Sequence, residues 1–98
     1  MSTAAAKIVK PGKDIVASMA PEFKTELLKF IEGGVKELTV DLDNVGMVDS
    51  VGLGVLIAAH NSLHKTDGTF SVVNASEDIY KLFQVMRLDR HFTVNIAE

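Results

Sequence analysis

A serine beside a carboxylate and two glycines is the segment of this chain best suited to chemistry. Ser50 follows Asp49 and precedes Gly52 and Gly54. An alternating segment, residues 37–42, comes before it and a helical pattern follows, so we expect Ser50 to lie where a loop becomes a helix. Backbone N–H groups and the helix dipole favour negative charge at such a place. A phosphate on Ser50 would therefore be compatible with the fold.

The simplest alternative is that Ser50 or its neighbour Asp49 only caps the second helix, an arrangement worth ~1 kcal/mol. The two glycines each weaken a helix by up to ~1 kcal/mol relative to alanine, which favours a close approach to the backbone in this first turn. Either a partner or the packing of the helix against the sheet would make that approach. Val51 and Leu53 also place apolar side chains near the loop, where a partner can dock.

Catalytic and metal-binding interpretations of these residues are weaker. A nucleophilic serine needs a base and an oxyanion pocket, and the G-x-S-x-G elbow is absent because Val48 stands two residues before Ser50. His60 and His64 have the i, i+4 spacing of helical metal ligands, but no glutamate follows His60 and no third ligand suggests itself. No phosphate-binding loop or dinucleotide fingerprint is present. We therefore expect no enzyme activity, no metal and no cofactor.

Composition narrows the class of protein further. The 98 residues suit one small domain, 1–98, with residues 1–6 as a flexible tail. The net charge of −3, without a lysine or arginine cluster, disfavours nucleic acid and anionic membranes as partners. The absence of cysteine excludes disulfides and thiolate metal sites. The longest apolar run, residues 51–59, is too short for membrane insertion, and no signal peptide is evident, so we expect a cytoplasmic protein.

The hydrophobic pattern predicts alternating strands and helices. Ile8-Val9 and Ile15-Val16 flank a Pro-Gly turn, and either both form a small hairpin or only one joins the sheet. A helix over 21–31, with Ser18 as a candidate cap and Pro21 in its first turn, comes next. The remaining elements are a strand at 38–42, a helix over 50–65, a strand over 69–74, a helix after Ser76 with Ile79, Leu82, Phe83 and Met86 on its apolar face, and a strand with Phe92, Val94 and Ile96.

This order of elements, β-α-β-α-β-α-β, predicts an α/β protein whose helical crossovers make parallel strand pairs. Two strands alternate cleanly between apolar and polar residues, so helices should cover mainly one face of a sheet of four or five strands. The same alternation rules out a DNA-binding helix pair and an all-β barrel.

The chain resembles the STAS family, the anti-sigma factor antagonist domain. The resemblance is densest over 38–56, where Asp-Ser-x-Gly-Leu-Gly follows an alternating strand, and it continues through 72–76, Leu82-Phe83 and Phe92. It implies a small mixed, largely parallel four- to five-stranded sheet with helices mainly on one face. Two departures stand out: Val51 occupies the place of a second serine, and little room is left for two strands before the first helix.

The resemblance also implies a function. In bacterial members, the serine that matches Ser50 is phosphorylated by a partner that is both a serine kinase of the histidine-kinase-like ATPase type and an anti-sigma factor. The unphosphorylated domain binds this partner, and a PP2C-type phosphatase resets the switch. The alternative is a constitutive interaction subunit of a transporter or signalling complex, without phosphorylation of the serine. The residues that match the partner-contact region are Asp49, Val51, Gly52, Leu53, Gly54 and Leu56.

Overall fold

The computed structural model describes residues 5–97, which form a four-stranded sheet, three α-helices and one short 3₁₀ helix. Each strand except the last leads into a helix that returns the chain to the start of the next strand. The elements in chain order are β1 (Ala5–Val9), α1 (Ala20–Glu32), β2 (Val35–Asp41), α2 (Ser50–Lys65), β3 (Thr69–Ala75), α3 (Glu77–Val85), the 3₁₀ turn (Leu88–Arg90) and β4 (Thr93–Ile96).

The sheet has the strand order β1-β2-β3-β4, and all three pairings are parallel. Parallel neighbours need a crossover between them, and each helix supplies one. The predicted α/β class is confirmed, and the part of the sheet within residues 5–97 contains no antiparallel pair. Because the strands are parallel, the loops after β1 and β2 leave the sheet at the same end, where the carboxyl ends of the strands lie. The start of α2 lies at this end.

The two faces of the sheet differ as the alternating sequence predicts. Leu38 and Val40 of β2 are fully buried, as are Phe70 and Val72, their register partners in β3. The residue between them on β2, Thr39, faces the other way, and its hydroxyl lies 3.1 Å from that of Ser71. Helices therefore pack on the apolar face, and a row of hydroxyl groups lies on the other.

The core lies between the apolar face and the helices. Leu27, Leu56 and Phe83 are fully buried there, and Phe70 and Phe92 meet edge to face with ring centroids 5.0 Å apart. Such aromatic pairs contribute ~0.5–1.5 kcal/mol beyond the area they bury. Within the described residues no polar side chain is buried, so the contact between the layers consists of apolar packing. No helix in residues 5–97 is long and apolar enough to cross a bilayer.

The segment before α1 corrects one expectation and decides between two alternatives. Ala5 and Ala6 were expected in a flexible tail, but they lie in β1 because they pair with β2; residues 1–4 of that tail lie outside the described residues. Of the two apolar pairs, only the first joins the sheet. Ile15 instead makes a single parallel bridge to Val48, because the loops after β1 and β2 both leave the sheet at the carboxyl end of the strands.

The predicted helix boundaries agree with the structure, whereas two predicted details, the cap of α1 and the place of Met86, are wrong. Ser76 caps α3 by accepting a hydrogen bond from the Ile79 N–H at 3.2 Å, as expected. Ser18 does not cap α1, since Met19 occupies the cap position without a side-chain hydrogen bond and Pro21 follows in the first turn. Met86 is 52% exposed, because α3 has already ended at the preceding residue.

Candidate functional site

The carboxylate of Asp49 organises the start of α2. One oxygen accepts a hydrogen bond from the Gly52 N–H at 2.8 Å, which makes Asp49 the N-cap residue. The other oxygen accepts a hydrogen bond from the Ala17 N–H at 2.9 Å, in the loop before α1. Ser50 occupies the first position of the helix and is exposed. The capping role therefore belongs to Asp49, and the hydroxyl of Ser50 is left at the surface.

These hydrogen bonds also fix the charge of the site. The bond from Gly52, and after it the bond from Ala17, lower the pKa of Asp49 below its ordinary value, because both stabilise the charged carboxylate. Asp49 is consequently ionised at neutral pH. A fixed negative charge thus stands directly beside the exposed serine.

Two loops are joined into one surface around this carboxylate. The Ile15 N–H donates to the Met47 carbonyl at 2.9 Å, and the Asp49 N–H donates to the Ile15 carbonyl at 3.2 Å. The Asp14 carboxylate accepts from the Gly46 N–H at 2.9 Å. The segment before α1 is therefore part of the site, which the sequence alone did not indicate. The one sequence feature that hinted at this segment is the apolar pair at residues 15–16, which follows a strand expected to end at the same end of the sheet as the strand before α2.

The two glycines of the first turn have different roles. A Cβ atom on Gly52 would lie 2.2 Å from the Ile15 carbonyl oxygen, so the close approach here is made by the chain's own loop. Apart from its chain neighbours and the backbone of its own helix, a Cβ atom on Gly54 would have no atom within 4 Å. Intramolecular packing therefore explains Gly52, whereas Gly54 leaves open space beside the helix.

That open space belongs to a groove between the starts of α1 and α2. Its volume is about 550 Å³, and of the described residues that line it only Lys24 is charged. Val51, at its edge, is 48% exposed although it is apolar. A groove of this kind can receive an apolar side chain from another molecule. Its lining residues are Ala17, Ala20, Pro21, Lys24, Val51, Gly54 and Val55; we call it the helix-start groove.

The residues predicted for phosphorylation and for partner contact separate into two groups. Ser50, Val51 and Gly54 are exposed, and Asp49 is half-exposed. Gly52, Leu53 and Leu56 are buried beneath them and help to hold α2 on the sheet. The surface open to a partner is therefore smaller than the motif, and it includes groove residues from α1 that the motif does not contain.

The histidines lie far along α2 from this surface. The ring of His60 is 6.0 Å from that of His64, 6.3 Å from that of His91 and 5.5 Å from that of Phe92, between ring centroids. Within residues 5–97 no three potential ligands are placed to hold a metal ion. Partial burial, followed by the charges of the two other histidines, lowers the pKa of His60. Packing against Phe92 accounts for its position.

Comparison with known proteins assigns the family. The STAS domain model matches residues 2–98, so the chain belongs to the STAS domain family. Among curated relatives, the anti-sigma-B factor antagonist of Staphylococcus aureus is 29% identical over 87 residues, which cover 89% of this chain and 81% of the relative. The resemblance inferred from the Asp-Ser-x-Gly-Leu-Gly segment is thereby confirmed.

Solved structures agree with this assignment. A proposed anti-sigma factor antagonist of Thermotoga maritima has a TM-score of 0.88 at 25% identity, covering 92% of this chain and 78% of its own. The Bacillus cell fate determinant SpoIIAA in its phosphorylated form has a TM-score of 0.75 at 18% identity, covering 96% and 86%. A sulfate transporter family protein of Wolinella succinogenes has a TM-score of 0.79 at 16% identity, covering 92% and 75%. The last two share the fold.

The contrast between the two glycines is testable. Gly52→Ala should destabilise the protein by about 3 kcal/mol, because the added carbon meets the backbone of the neighbouring loop. Gly54→Ala should be neutral or stabilise by up to ~1 kcal/mol, because its carbon meets open space and alanine favours the helix. Urea unfolding followed by circular dichroism measures both values. Equal destabilisation by the two exchanges would contradict the different roles assigned to the glycines.

The charge of Asp49 should make part of the stability pH-dependent. Its pKa is lowered on folding, so the stabilisation is complete above the unfolded value of 3.8 and is lost as the pH falls through the folded value. Asp49→Asn has a single acceptor oxygen, so it can accept from the Gly52 N–H or from the Ala17 N–H but not from both, and its NH₂ group faces the other N–H. Wild type should therefore exceed this variant in stability at pH 7, and the difference should shrink in acid. Urea unfolding midpoints of wild type, Asp49→Asn and the control Glu26→Gln, measured from pH 7 to pH 3, test this. A difference between wild type and Asp49→Asn that stays constant over this range would refute it.

Proposed function

We propose that this protein is a non-enzymatic, phosphorylation-switched antagonist of an anti-sigma factor, acting in the cytoplasm. Its partner is a serine kinase of the histidine-kinase-like ATPase type that is also the anti-sigma factor, and a PP2C-type phosphatase restores the unphosphorylated form. The observation that supports this most directly is the exposed hydroxyl of Ser50, left without a capping role because Asp49 caps the helix. The curated antagonist of Staphylococcus aureus supports the assignment of the partner class.

In the proposed complex, the partner covers Ser50 and inserts an apolar side chain into the helix-start groove. Val51 and Gly54 form the wall of this groove on α2, and the start of α1 forms the other. The loops around Ile15 and Met47 are joined by backbone hydrogen bonds, so the surface is preformed. A preformed surface loses little conformational entropy on binding, which favours affinity.

Phosphorylation would act at this interface and leave the fold intact. A phosphate on Ser50 adds a charge of about −1.5 to −2. The helix dipole offsets this charge by about 0.3–1 kcal/mol, so α2 stays folded. In the complex, however, the phosphate must lose water beside the ionised Asp49 and the apolar Val51. A hundredfold loss of affinity requires only ~2.7 kcal/mol, and burying an unpaired charge costs several kcal/mol, so electrostatics suffice.

The second candidate is a constitutive interaction subunit of a transporter or signalling complex, in which Ser50 is never phosphorylated. The fold shared with a sulfate transporter family protein favours it. The two candidates differ in what a negative charge at Ser50 does to the set of bound partners.

A comparative pull-down from the host lysate separates the candidates. With Ser50→Ala as bait, we expect capture of an ATP-binding serine kinase at the level of wild type. Ser50→Asp should lose this kinase by about a hundredfold, because the charge must be desolvated at the interface. Mass spectrometry of the bound proteins gives both results. Identical partners for all three baits would refute the switch and favour the constitutive subunit.

A second pair of variants tests the groove itself. Gly54→Gln adds a side chain where a Cβ meets no atom, so it should fill the groove without unfolding the protein and weaken kinase capture at least tenfold. Asn61→Gln introduces the same side chain two turns further along α2, at an exposed position, and should bind as wild type does. Equal binding by the two variants would remove the groove from the interface.

A further inference from the structure

A second surface of the molecule lies along the outer edge of β1. This strand ends the sheet on one side, and within residues 5–97 only β2 pairs with it. The backbone groups on its other edge therefore have no strand beside them in the described structure. Such an edge is a template for another strand, because the unpaired N–H and C=O groups are spaced to form a further ladder. The edge spans five residues, about 16 Å.

A groove of about 560 Å³ runs between this edge and α1. Its two walls carry opposite charges. Lys7 and Lys10 on the strand side, with Lys13 in the following loop, form one wall, and Glu22 and Glu26 on α1 form part of the other. The apolar residues in the groove include Phe23 and Phe30 of α1 and Met19, which precedes that helix.

The lysines of the strand wall are available to a ligand. Lys7 and Lys10 are exposed; the ammonium of Lys7 lies 4.9 Å from the centre of the Phe30 ring, and that of Lys10 lies 3.5 Å from a carboxylate oxygen of Asp43. Among the described residues, neither Lys7 nor Lys13 belongs to a salt bridge. Exposed contacts of this kind contribute little and exchange readily for a new carboxylate partner.

We propose that this groove is a docking site for an extended segment of a protein partner, which pairs with β1 as an added strand. The segment carries carboxylates that alternate with apolar side chains. Its main chain pairs with the free edge, its carboxylates meet the lysines on the groove side of the strand, where Lys7 lies, and its apolar side chains lie beside Ile8 on the opposite face. Ile8 is 66% exposed on that opposite face, which is why the proposed segment alternates carboxylates with apolar side chains and is not uniformly acidic. Strand addition of this type draws affinity from the backbone and specificity from alternate side chains.

A second copy of this chain is a poorer occupant. Antiparallel pairing of two β1 strands about a two-fold axis through their centres would place Lys7 opposite its own equivalent. Like charges directly opposite each other destabilise a strand pair. Lysine on an edge strand is itself a common guard against self-association. The charges therefore favour a partner that carries carboxylates.

This surface is distinct from the helix-start groove. The two share α1 but use different sides of it, with Ala20 and Lys24 in the helix-start groove and Glu22 and Glu26 in the edge groove. The proposal consequently stands whether or not Ser50 is phosphorylated.

The test uses a capped hexapeptide of alternating valine and glutamate as the probe, titrated into the full-length protein. We expect saturable changes in the amide NMR signals of residues 6–10 and slower hydrogen exchange there. A hexapeptide of alternating valine and lysine should bind at least tenfold more weakly. Amide signals of residues 6–10 that do not move, or equal binding of the two peptides, would overturn the proposal.

Charge variants identify the groove. The double exchange Lys7→Glu with Lys13→Glu should weaken binding of the glutamate peptide at least tenfold. The melting temperature of this double variant should stay near that of wild type, because both lysines are exposed. Lys24→Glu makes the same kind of charge change in the other groove and should bind normally, as should Ser50→Asp. Loss of binding in Lys24→Glu but not in the double variant would refute this site. Self-association through residues 6–10 without peptide would refute it in favour of a second copy.

Discussion

The carboxylate of Asp49 is the contact on which the site depends. It satisfies a free N–H group in the first turn of α2 and, 32 residues earlier in the chain, the N–H of Ala17. An aspartate that made only the first bond would be an ordinary cap. Because it makes both, the start of α2 cannot move without the loop before α1. The exposed serine and the groove beside it therefore belong to one rigid unit.

The position of Ser50 relative to the packing explains how such a small site would act as the proposed switch. The residues under Ser50, including Leu53 and Leu56, are buried and hold α2 on the sheet. Those around it, including Val51, are apolar and exposed. A charge added at this boundary leaves the core untouched and changes only what can lie against the surface. Stability and binding are thus separated within one helical turn.

Much of this arrangement could be predicted from the sequence, because it depends on local pattern. The alternation around Leu38 and Phe70 predicts the strands and their inward faces, and Ser76 predicts the start of α3. The features that the sequence left undecided concern contacts between distant segments. Nothing local to Ile15 shows that its carbonyl oxygen would meet a Cβ atom on Gly52, and that contact decides which glycine serves packing. The groove between α1 and α2 could not be predicted for the same reason, because its two walls are far apart in the sequence.

The strand order β1-β2-β3-β4 has a consequence for how the protein is made. Each strand pairs with its neighbour in the sequence, so no strand must later be inserted between two earlier ones. The sheet can grow in the order in which ribosomes synthesise the chain, one strand and crossover helix at a time. Each pairing spans one crossover, as from Val9 to Val40, which is the shortest span that a parallel sheet allows, and this limits the time during which an incomplete sheet exposes its apolar face. The two loops joined by Asp49 are complete once the second crossover begins, well before the last strand is synthesised.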